Sequence, residues 1–262
     1  MNDTRPRIRP WLTAGAIVAV VAIALGAFAL WQWLGRPAEQ QETHRQAYAI
    51  QGGKIVIDAS RGEGDIVVRA GNDGEVSLER QVVWDRKKPA VGESWTDGTL
   101  RLAVDCPQDR PLYDYTCDVT YVIRIPADTA VRLTSKVGNL TIAGIRGDLS
   151  VDSDTGDIEV SQAQGALVVH AGTANVRLKE VAVATAEVRV GTGDVRGGFA
   201  RAPRTINVDA GTGDVDLDVP DEQTYRVEAA VTSGEKTIVL QQQAGAPNTI
   251  VAKVETGDLR LR

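Results

Sequence analysis

Pairs of alternating hydrophobic residues recur in the second half of the chain at a fixed interval of nine residues. Each pair has the spacing of one face of a β-strand, because successive side chains of a strand point to opposite sides. The first members of six consecutive pairs are Val131, Leu140, Leu149, Ile158, Leu167 and Val176. Strands this short bury their apolar face only when they stack on neighbouring copies. The pattern therefore predicts a repeat protein built from short strands and six-residue corners.

The corners between these strands alternate in composition. Every second corner has Gly or Ala followed by Asp or Asn, in "TSKVGN", "DSDTGD" and "HAGTAN", whereas the others read "AGIRGD" and "SQAQGA". Two nine-residue units therefore make one rung of 18 residues, with two strands and two corners. This organisation predicts an all-β fold, a parallel β-solenoid with two sheets, with regular repeats over residues 131–262.

The corner motif persists farther along the chain, where the interval lengthens. Near-copies read "VGTGDV", "AGTGDV" and "VETGDL", and a weaker one, "RGEGDI", precedes the regular repeats. Glycine adopts positive φ without steric cost, and an Asp or Asn side chain bonds to nearby backbone. A tight structural corner therefore explains most of the motif. Two corners depart from it, at Ala174-Asn175 and at Gly234-Glu235.

The repeated aspartates have a second interpretation, as metal ligands. Rungs stack about 4.8 Å apart, so corner aspartates would form a column, and calcium would relieve the repulsion between their carboxylates. The calcium candidates are Asp157, Asp194, Asp214 and Asp258. The glycine-rich consensus of calcium-binding nine-residue repeats is missing, and Asn139 and Asn175 interrupt the column. The pattern therefore favours the structural corner, and no cofactor is predicted.

Residues 82–127 interrupt the repeat with longer strands and bulkier side chains. Within this segment, "TLRLAV" and "VTYVIRI" flank the cysteines and predict an antiparallel hairpin that caps one end of the solenoid. The two cysteines of the chain, Cys106 and Cys117, are most simply a disulfide if the segment is exported. A zinc site would need further ligands nearby, and the C-x-x-C spacing typical of a reactive thiol pair is absent.

The segment that precedes the repeats is apolar. Residues 11–34 carry no charge and would reach about 36 Å as a helix, enough to cross a bilayer core of about 30 Å. Tryptophans at both ends and three arginines before the segment predict a single-pass anchor with its N-terminus in the cytoplasm. A cleaved signal peptide is the alternative, because "AFA" at residues 27–29 has the form of a cleavage site.

These features divide the chain into four parts. We predict a cytoplasmic tail over 1–10, a transmembrane helix over 11–34, a linker over 35–49 and an extracellular β-repeat domain over 50–262. Residues 1–34 carry three arginines and one aspartate, so the remainder has a formal charge of −8 against −6 for the whole chain. An acidic domain disfavours nucleic acid as a partner. The predicted partners are the membrane, through 11–34, and an unknown protein or cell-wall component.

The order of these segments resembles the bacterial putative-adhesin family, a domain of unknown function with β-strand repeats. The resemblance rests on the anchor, the strand "VVWDRKKP", the cysteine segment that ends in "YVIRIP", and the repeated Thr-Gly-Asp corners. It covers residues 50–262. It implies a β-solenoid-like fold, a setting in the cell envelope outside the cytoplasm, and no known enzymatic activity. Some relatives are associated with envelope-stress signalling, which leaves a regulatory role open.

Motifs for catalysis are missing from the sequence. No G-x-S-x-G, P-loop or H-E-x-x-H occurs, and the histidines are His44 in the linker and His170 beside an inward strand position. The "RGD" at 146–148 lies in an ordinary corner. We predict a non-catalytic, membrane-anchored envelope protein that displays the repeat domain for surface interaction. The alternatives are an envelope-stress sensor that binds a membrane partner and a carboxylate-dependent, polysaccharide-active enzyme.

Overall fold

The described residues of the computed structural model are 21–28, 30, 39–50, 52–72, 74–107 and 116–262. They fall into two compact units, Met1–Glu39 and Gln40–Arg262. In the first unit, residues 21–28 are helical. The predicted tail over 1–10 and most of the predicted transmembrane helix over 11–34 lie outside the described residues. Within the described part of the chain, no helix combines the length and the apolar character needed to cross a membrane.

The second unit is built from β-strands. In chain order they are β1 Gln40–Ala49, β2 Lys54–Glu63, β3 Asp65–Gly71, β4 Glu75–Trp84, β5 Ala90–Thr96, β6 Thr99–Asp105, β7 Cys117–Pro126, β8 Ala130–Val137, β9 Leu140–Ala143, β10 Leu149–Thr155, β11 Ile158–Ser161, β12 Leu167–Thr173, β13 Val176–Val181, β14 Thr185–Thr192, β15 Val195–Phe199, β16 Thr205–Thr212, β17 Val215–Asp218, β18 Tyr225–Ser233, β19 Lys236–Ile238, β20 Asn248–Thr256 and β21 Leu259–Leu261. Buried residues alternate with less buried ones along most of them, as the period-two pattern predicts.

The strands form two sheets around one core. Sheet A has the order β1-β4-β7-β3-β9-β11-β13-β15-β17-β21-β19, and sheet B has the order β18-β20-β16-β14-β12-β10-β8-β2-β6-β5. A rung runs from a strand of sheet B through a corner to a strand of sheet A, and neighbouring rungs pair in parallel. The predicted all-β, solenoid-like architecture with mostly parallel sheets is confirmed.

The repeat interval sets the register between rungs. Leu149 pairs with Leu167 and Val151 with Val169, each 18 residues apart, so that equivalent side chains stack on one another. All four are at most 2% exposed. Because full burial of an aliphatic side chain contributes about 1.5–3 kcal/mol, these stacked columns supply the main favourable term in folding.

The last rung of the sequence is not the last rung of the stack. β20 lies between β16 and β18, and β21 lies between β17 and β19. The chain thus forms the outermost rung with β18 and β19, returns through residues 239–247, and places its final rung one position inward. The spacing of the corner glycines along the sequence does not indicate that the last two rungs are in reversed order in the stack.

Two side chains account for the outermost place of β18 and β19. Lys236 occupies the inward column of sheet A, next to the buried Leu259. In an internal rung its ammonium would be enclosed by aliphatic side chains, at a cost of several kcal/mol. At the end of the stack it stays exposed and donates to Ala229 O at 3.2 Å. Glu235, in place of Asp, is accommodated at the same end because no further rung stacks on its corner.

The opposite end is capped by antiparallel strands, and the predicted hairpin there is wrong. β6 belongs to sheet B, where it pairs with β5 and β2, whereas β7 belongs to sheet A, where it pairs with β3 and β4. The predicted Cys106–Cys117 disulfide is confirmed, and it joins the two sheets. Both strands are apolar on one face and both flank a cysteine, so the pattern does not distinguish pairing within a sheet from opposition across the core.

Most of the predicted linker is also a strand, which corrects the boundary at residues 35–49. β1 pairs with β4 over its whole length and forms the edge of sheet A. Eight of its ten residues are exposed, because the core covers only part of one face of this edge strand, at Glu42 and Tyr48. An exposed edge strand does not need alternating apolar residues. Its sequence is therefore as polar as that of a linker, which is why the sequence predicted a linker here.

We expect Gly213→Ala to lower the free energy of unfolding by at least about 1 kcal/mol. Gly213 has φ +136°, and a Cβ at this position would lie 2.2 Å from Gly193 O of the adjacent rung. Denaturant titration of the full chain followed by circular dichroism measures the change.

The matched control is Gly245→Ala. Nothing lies within 4 Å of the position that its Cβ would take, and its φ is outside the left-handed region. This control should leave the midpoint unchanged or raise it slightly. Equal midpoints for Gly213→Ala and the parent chain would contradict the role of the corner glycine.

Candidate functional site

Side-chain hydrogen bonds join the Gly-Asx corners from rung to rung. In each corner, Oδ1 of Asp or Asn accepts the backbone N–H of the equivalent residue in the next rung, at 2.8–3.2 Å. We call this series the Asx ladder. From the capped end to the other, its members are Asp65, Asn139, Asp157, Asn175, Asp194, Asp214, Asp258 and Glu235. Glu235 only donates, because its rung is the outermost.

Backbone hydrogen bonds continue around the same corners. Val195 N–H donates to Asp214 O at 2.8 Å, and Gly193 N–H donates to Thr212 O at 2.8 Å. Each corner therefore satisfies its peptide groups through the adjacent rung, as the strands do. One N–H of each corner, that of the Asx residue itself, has no backbone acceptor, and the Asx side chain of the adjacent rung accepts it. Since Asp and Asn both present Oδ1, the neutral Asn139 and Asn175 keep the ladder continuous.

Arginines form ion pairs with the second carboxylate oxygen, Oδ2, of several ladder aspartates. Arg196 lies 2.9 Å from Oδ2 of Asp194, and Arg260 lies 2.8 Å from Oδ2 of Asp258. These ion pairs offset the repulsion between carboxylates in successive rungs.

At Asp157, partial burial acts to raise the pKa, but three hydrogen bonds outweigh it. The backbone and side chain of Asn175 donate to Oδ1 of Asp157, and Arg177 lies 3.3 Å from its Oδ2. Together they hold the pKa of the carboxyl below its usual range. Asp157 is thus stabilised as a carboxylate by the protein itself.

The four calcium candidates lie in one column, as the repeat predicts. Asp194, Asp214 and Asp258 occupy adjacent rungs, whereas Asp157 is separated from them by Asn175. Each directs Oδ1 at a backbone N–H of the next rung. Among the described residues, no three His, Cys, Asp or Glu side chains are grouped so that they could hold one metal ion. Calcium binding by these aspartates stays the untested alternative to the structural corner.

Threonines form a second column beside the Asx ladder, which we call the threonine column. Its members are Thr155, Thr173, Thr192, Thr212 and Thr256, each in register with the next along sheet B. All five are exposed. One hydroxyl per rung therefore faces solvent at intervals of about 4.8 Å. The threonine precedes glycine in every "TGD" corner, but the sequence alone does not show that the hydroxyls align.

A shallow depression of about 390 Å³ adjoins the threonine column on the outer face of sheet B. Its floor includes Gly172 and Gly191, which directly precede two of the threonines. Its polar lining includes Asp152, Arg189 and Asp209. Because the two glycines expose backbone in the depression and its lining carries both signs of charge, an extended polar chain could lie against the backbone there.

His170 lies in the same depression and contacts charged side chains of neighbouring rungs. Its Nδ1 is 3.3 Å from Asp152, and its Nε2 is 3.4 Å from Glu187 and 3.2 Å from Arg189. Arg189 also pairs with Glu187 at 2.8 Å. These half-exposed groups form a surface ion-pair network, which does not have the arrangement of a base directed at a nucleophile.

A buried polar cluster at the capped end escaped the sequence interpretation. Arg80 on β4 and Glu93 on β5 form an ion pair at 2.7 Å, with side chains 10% and 7% exposed. Tyr121 on β7 is buried beside them, and its hydroxyl has no hydrogen-bond partner among the described residues. Burial and the Glu93 carboxylate raise the pKa of Tyr121 to about 12. The ion pair links sheet A to sheet B.

The alternation of these strands contained the signal for the cluster. Arg80 stands in the inward register of β4, and Glu93 stands between the inward-facing Val91 and Trp95 of β5. A single charge of opposite sign in each of two apolar registers predicts a pair that meets in the core. Such a pair is costly to break, because a partner left alone is a buried charge.

The "RGD" corner is held within the solenoid. Arg146 donates through Nε and Nη2 to both carboxylate oxygens of Asp128, each at 2.7 Å. Asp148 accepts the N–H of Ala166 from the next rung at 2.9 Å. The arginine and the aspartate of this motif thus bond to neighbouring corners, which agrees with an ordinary structural turn.

Comparison with known proteins gives one family match. A family model described as Toastrack DUF4097 matches residues 54–261. A search of curated proteins finds no match. Solved structures with low similarity include a putative adhesin from Bacteroides fragilis, with 12% identity over 84% of this chain and 97% of that one and a TM-score of 0.43.

Two further solved structures are similar at the same level. A putative lipid binding protein from Parabacteroides distasonis is 13% identical over 84% of this chain and 96% of that one, with a TM-score of 0.46. A putative cell adhesion protein from Clostridium sporogenes is 10% identical over 84% and 99%, with a TM-score of 0.35.

We expect Asp214→Ala to lower the free energy of unfolding by about 1–2 kcal/mol, because it leaves the Asp258 N–H without its acceptor. Asp214→Asn keeps Oδ1 and should be nearly neutral. Glu235→Ala is the matched control, since Glu235 accepts no ladder bond. Melting curves with millimolar calcium and with chelator complete the experiment. A calcium-dependent rise in melting temperature that Asp214→Asn weakens would contradict a purely structural ladder.

We expect Tyr121→Phe to leave the free energy of unfolding at pH 7 unchanged or slightly higher, since the hydroxyl has no partner to lose. In the parent chain the phenol has a higher pKa folded than unfolded. Its contribution to stability is therefore complete below about pH 10 and is lost as the pH rises through about 12. Denaturant titrations at pH 7 and pH 11 should show a smaller alkaline loss in the variant.

Tyr225→Phe is the control for Tyr121→Phe. The Tyr225 hydroxyl donates to Pro220 O at 2.9 Å, so its removal should cost stability at pH 7. If Tyr121→Phe lost as much stability at pH 7 as Tyr225→Phe, the Tyr121 hydroxyl would have a partner after all.

Proposed function

The chain belongs to the Toastrack DUF4097 family, and on that premise we propose that it is a non-catalytic, membrane-anchored protein of the cell envelope. The apolar segment 11–34 anchors it in the cell membrane, with the N-terminus in the cytoplasm and the repeat domain outside. The domain interacts at the cell surface with an extended protein or cell-wall partner, as the resemblance to the putative-adhesin family implies.

The outer face of sheet B supports a binding role. The exposed threonine column runs from rung to rung beside a depression floored by Gly172 and Gly191. A parallel solenoid repeats the same hydrogen-bonding group at the same interval along its axis. Such an array suits a linear partner, whose own groups recur along its length. The threonine hydroxyl both donates and accepts, so it serves polar partners of either kind.

The state of the corner carboxylates supports the absence of catalysis. A glycoside hydrolase uses two carboxyl groups that face each other across the bond to be cleaved. In this chain, the ladder aspartates bond to the N–H of the next rung, and Asp194 and Asp258 also pair with arginines. Because their oxygens are bonded within the fold, the ladder carboxylates are poorly suited to act as the acid and base of a hydrolase.

We expect protease added to intact cells that express the full chain to remove the repeat domain, and to reduce the attachment of those cells to immobilised cell wall and to one another. Immunoblotting with an antibody to the C-terminal residues measures the removal. Attachment is counted before and after treatment. Protection of the domain in intact cells would contradict the topology.

A pair of variants then tests the binding face in untreated cells. Thr192→Arg with Thr212→Arg introduces two bulky cations into the threonine column and should lower attachment severalfold. Thr141→Arg is the control, because Thr141 lies on sheet A, away from the column. Protease should remove the repeat domain equally from the parent chain, the double variant and the control variant. Equal attachment by both variants would contradict a role for the outer face of sheet B.

A further inference from the structure

The two ends of the solenoid are finished differently. At the capped end, Trp84 is buried and the ring of Tyr48 stacks on Trp95 with centroids 5.3 Å apart. At the other end, β18 and β19 each pair on one side only within the described chain. We call the unpaired edges of β18 and β19 the open end. An unpaired edge is a template for a further strand unless something covers it.

Backbone groups of β18 are turned toward the open end. Tyr225 N–H donates to Gln241 O, and Gln243 N–H donates to Tyr225 O, each at 3.0 Å, so this first part of the edge is covered. Peptide groups alternate in direction along a strand, so Val227 and Val231 direct theirs to the same side as Tyr225. No described residue hydrogen-bonds to Val227 or Val231 on that side. This stretch can therefore accept the backbone of an added strand.

Apolar side chains at the open end are incompletely covered. Val227, Ala229 and Val231 point inward, but they are only partly buried, whereas their partners on β20 are at most 2% exposed. An added strand would cover this surface and gain hydrophobic stabilisation as well as backbone hydrogen bonds.

One ammonium stands among these apolar side chains. Lys236 faces inward on β19, and its Nζ donates to Ala229 O at 3.2 Å. No described carboxylate lies within ion-pair distance of it. A second copy of the chain, docked end to end by a two-fold axis, would enclose two such ammonium groups in one apolar interface. A strand that brings its own carboxylate would instead pair with the charge.

We propose that the open end binds an extended segment of another protein, which adds a strand beside β18 and places a carboxylate against Lys236. The added strand supplies an N–H for Ala229 O, and this releases the Lys236 ammonium to the incoming carboxylate. Lys236 thus selects the partner, since it opposes self-association and favours an acidic strand. This surface is distinct from the threonine column, so either proposal can fail alone.

Two fluorescein-labelled peptides test the proposal by anisotropy with the full chain. The first has the sequence of residues 205–212, whose inward residues at 206, 208 and 210 are equivalent through β20 to Val227, Ala229 and Val231. The second carries Val208→Glu and places a carboxylate over Ala229. The second peptide should bind about tenfold more tightly than the first, and high salt should reduce the difference.

Three variants of the full chain complete the experiment. Lys236→Met should remove the preference for the glutamate peptide, whereas Lys253→Met, one rung inward on the exposed face, should leave it intact. Val231→Pro removes an N–H that faces the open edge, a place where proline is tolerated, and should weaken both peptides severalfold. Unchanged circular dichroism of each variant shows that the fold is retained.

Several outcomes would overturn the proposal. They are equal binding of the two peptides, no binding of either, or a preference that persists in Lys236→Met. Light scattering of the full chain across a concentration series provides a separate check. A dimer in the parent chain that disappears in Val231→Pro would show that a second copy occupies the open end, and the acidic-strand proposal would then be wrong.

Discussion

The close approach of successive corners is the constraint on which this fold depends. A glycine Cα passes so near the carbonyl of the previous rung that a Cβ would lie about 2 Å from the oxygen, as at Gly213 and Gly193. At that separation an Asx Oδ1 reaches the N–H of the next rung, which closes the hydrogen bonding of the turn. Glycine permits the close approach of the corners, and the Asp or Asn side chain forms a hydrogen bond between them. The aliphatic columns then pack at the interval that the corners allow.

The same constraint explains which positions are free to serve another purpose. Ladder carboxylates such as Asp194 are engaged by backbone and by arginine, so their recurrence reflects the needs of the stack. Each member of the threonine column accepts a hydrogen bond through its backbone oxygen and keeps its side chain exposed, so the hydroxyls form a regular array without cost to the fold. We therefore place the proposed interaction on the threonines, whose side chains the stack leaves available.

The ends of the stack follow a different rule from its interior. At the capped end, the Arg80–Glu93 pair, the disulfide and aromatic rings close the core. At the open end, Lys236 replaces an inward aliphatic residue and Glu235 replaces a ladder acceptor. Sequence reasoning anticipated the disulfide and identified the corner at Gly234 as degenerate. The reason for that degeneracy is visible only from the position of the rung in the stack. Glu235 and Lys236 would be unfavourable in an internal rung and are acceptable in the outermost one.

The sequence by itself determined the rung, the corner and the inward columns, because periodicity is local and each unit repeats the same physical requirements. It also contained the inward charges at Arg80 and Glu93. Tertiary structure alone decided which strands became neighbours where the repeat is irregular. It put β6 and β7 in opposite sheets and paired the polar β1 with β4. It also placed the final rung of the chain, β20 and β21, between the rung of β16 and β17 and the outermost rung. Strand pairing joins residues far apart in the chain, so its outcome depends on competing stacking partners, which a one-dimensional pattern does not record.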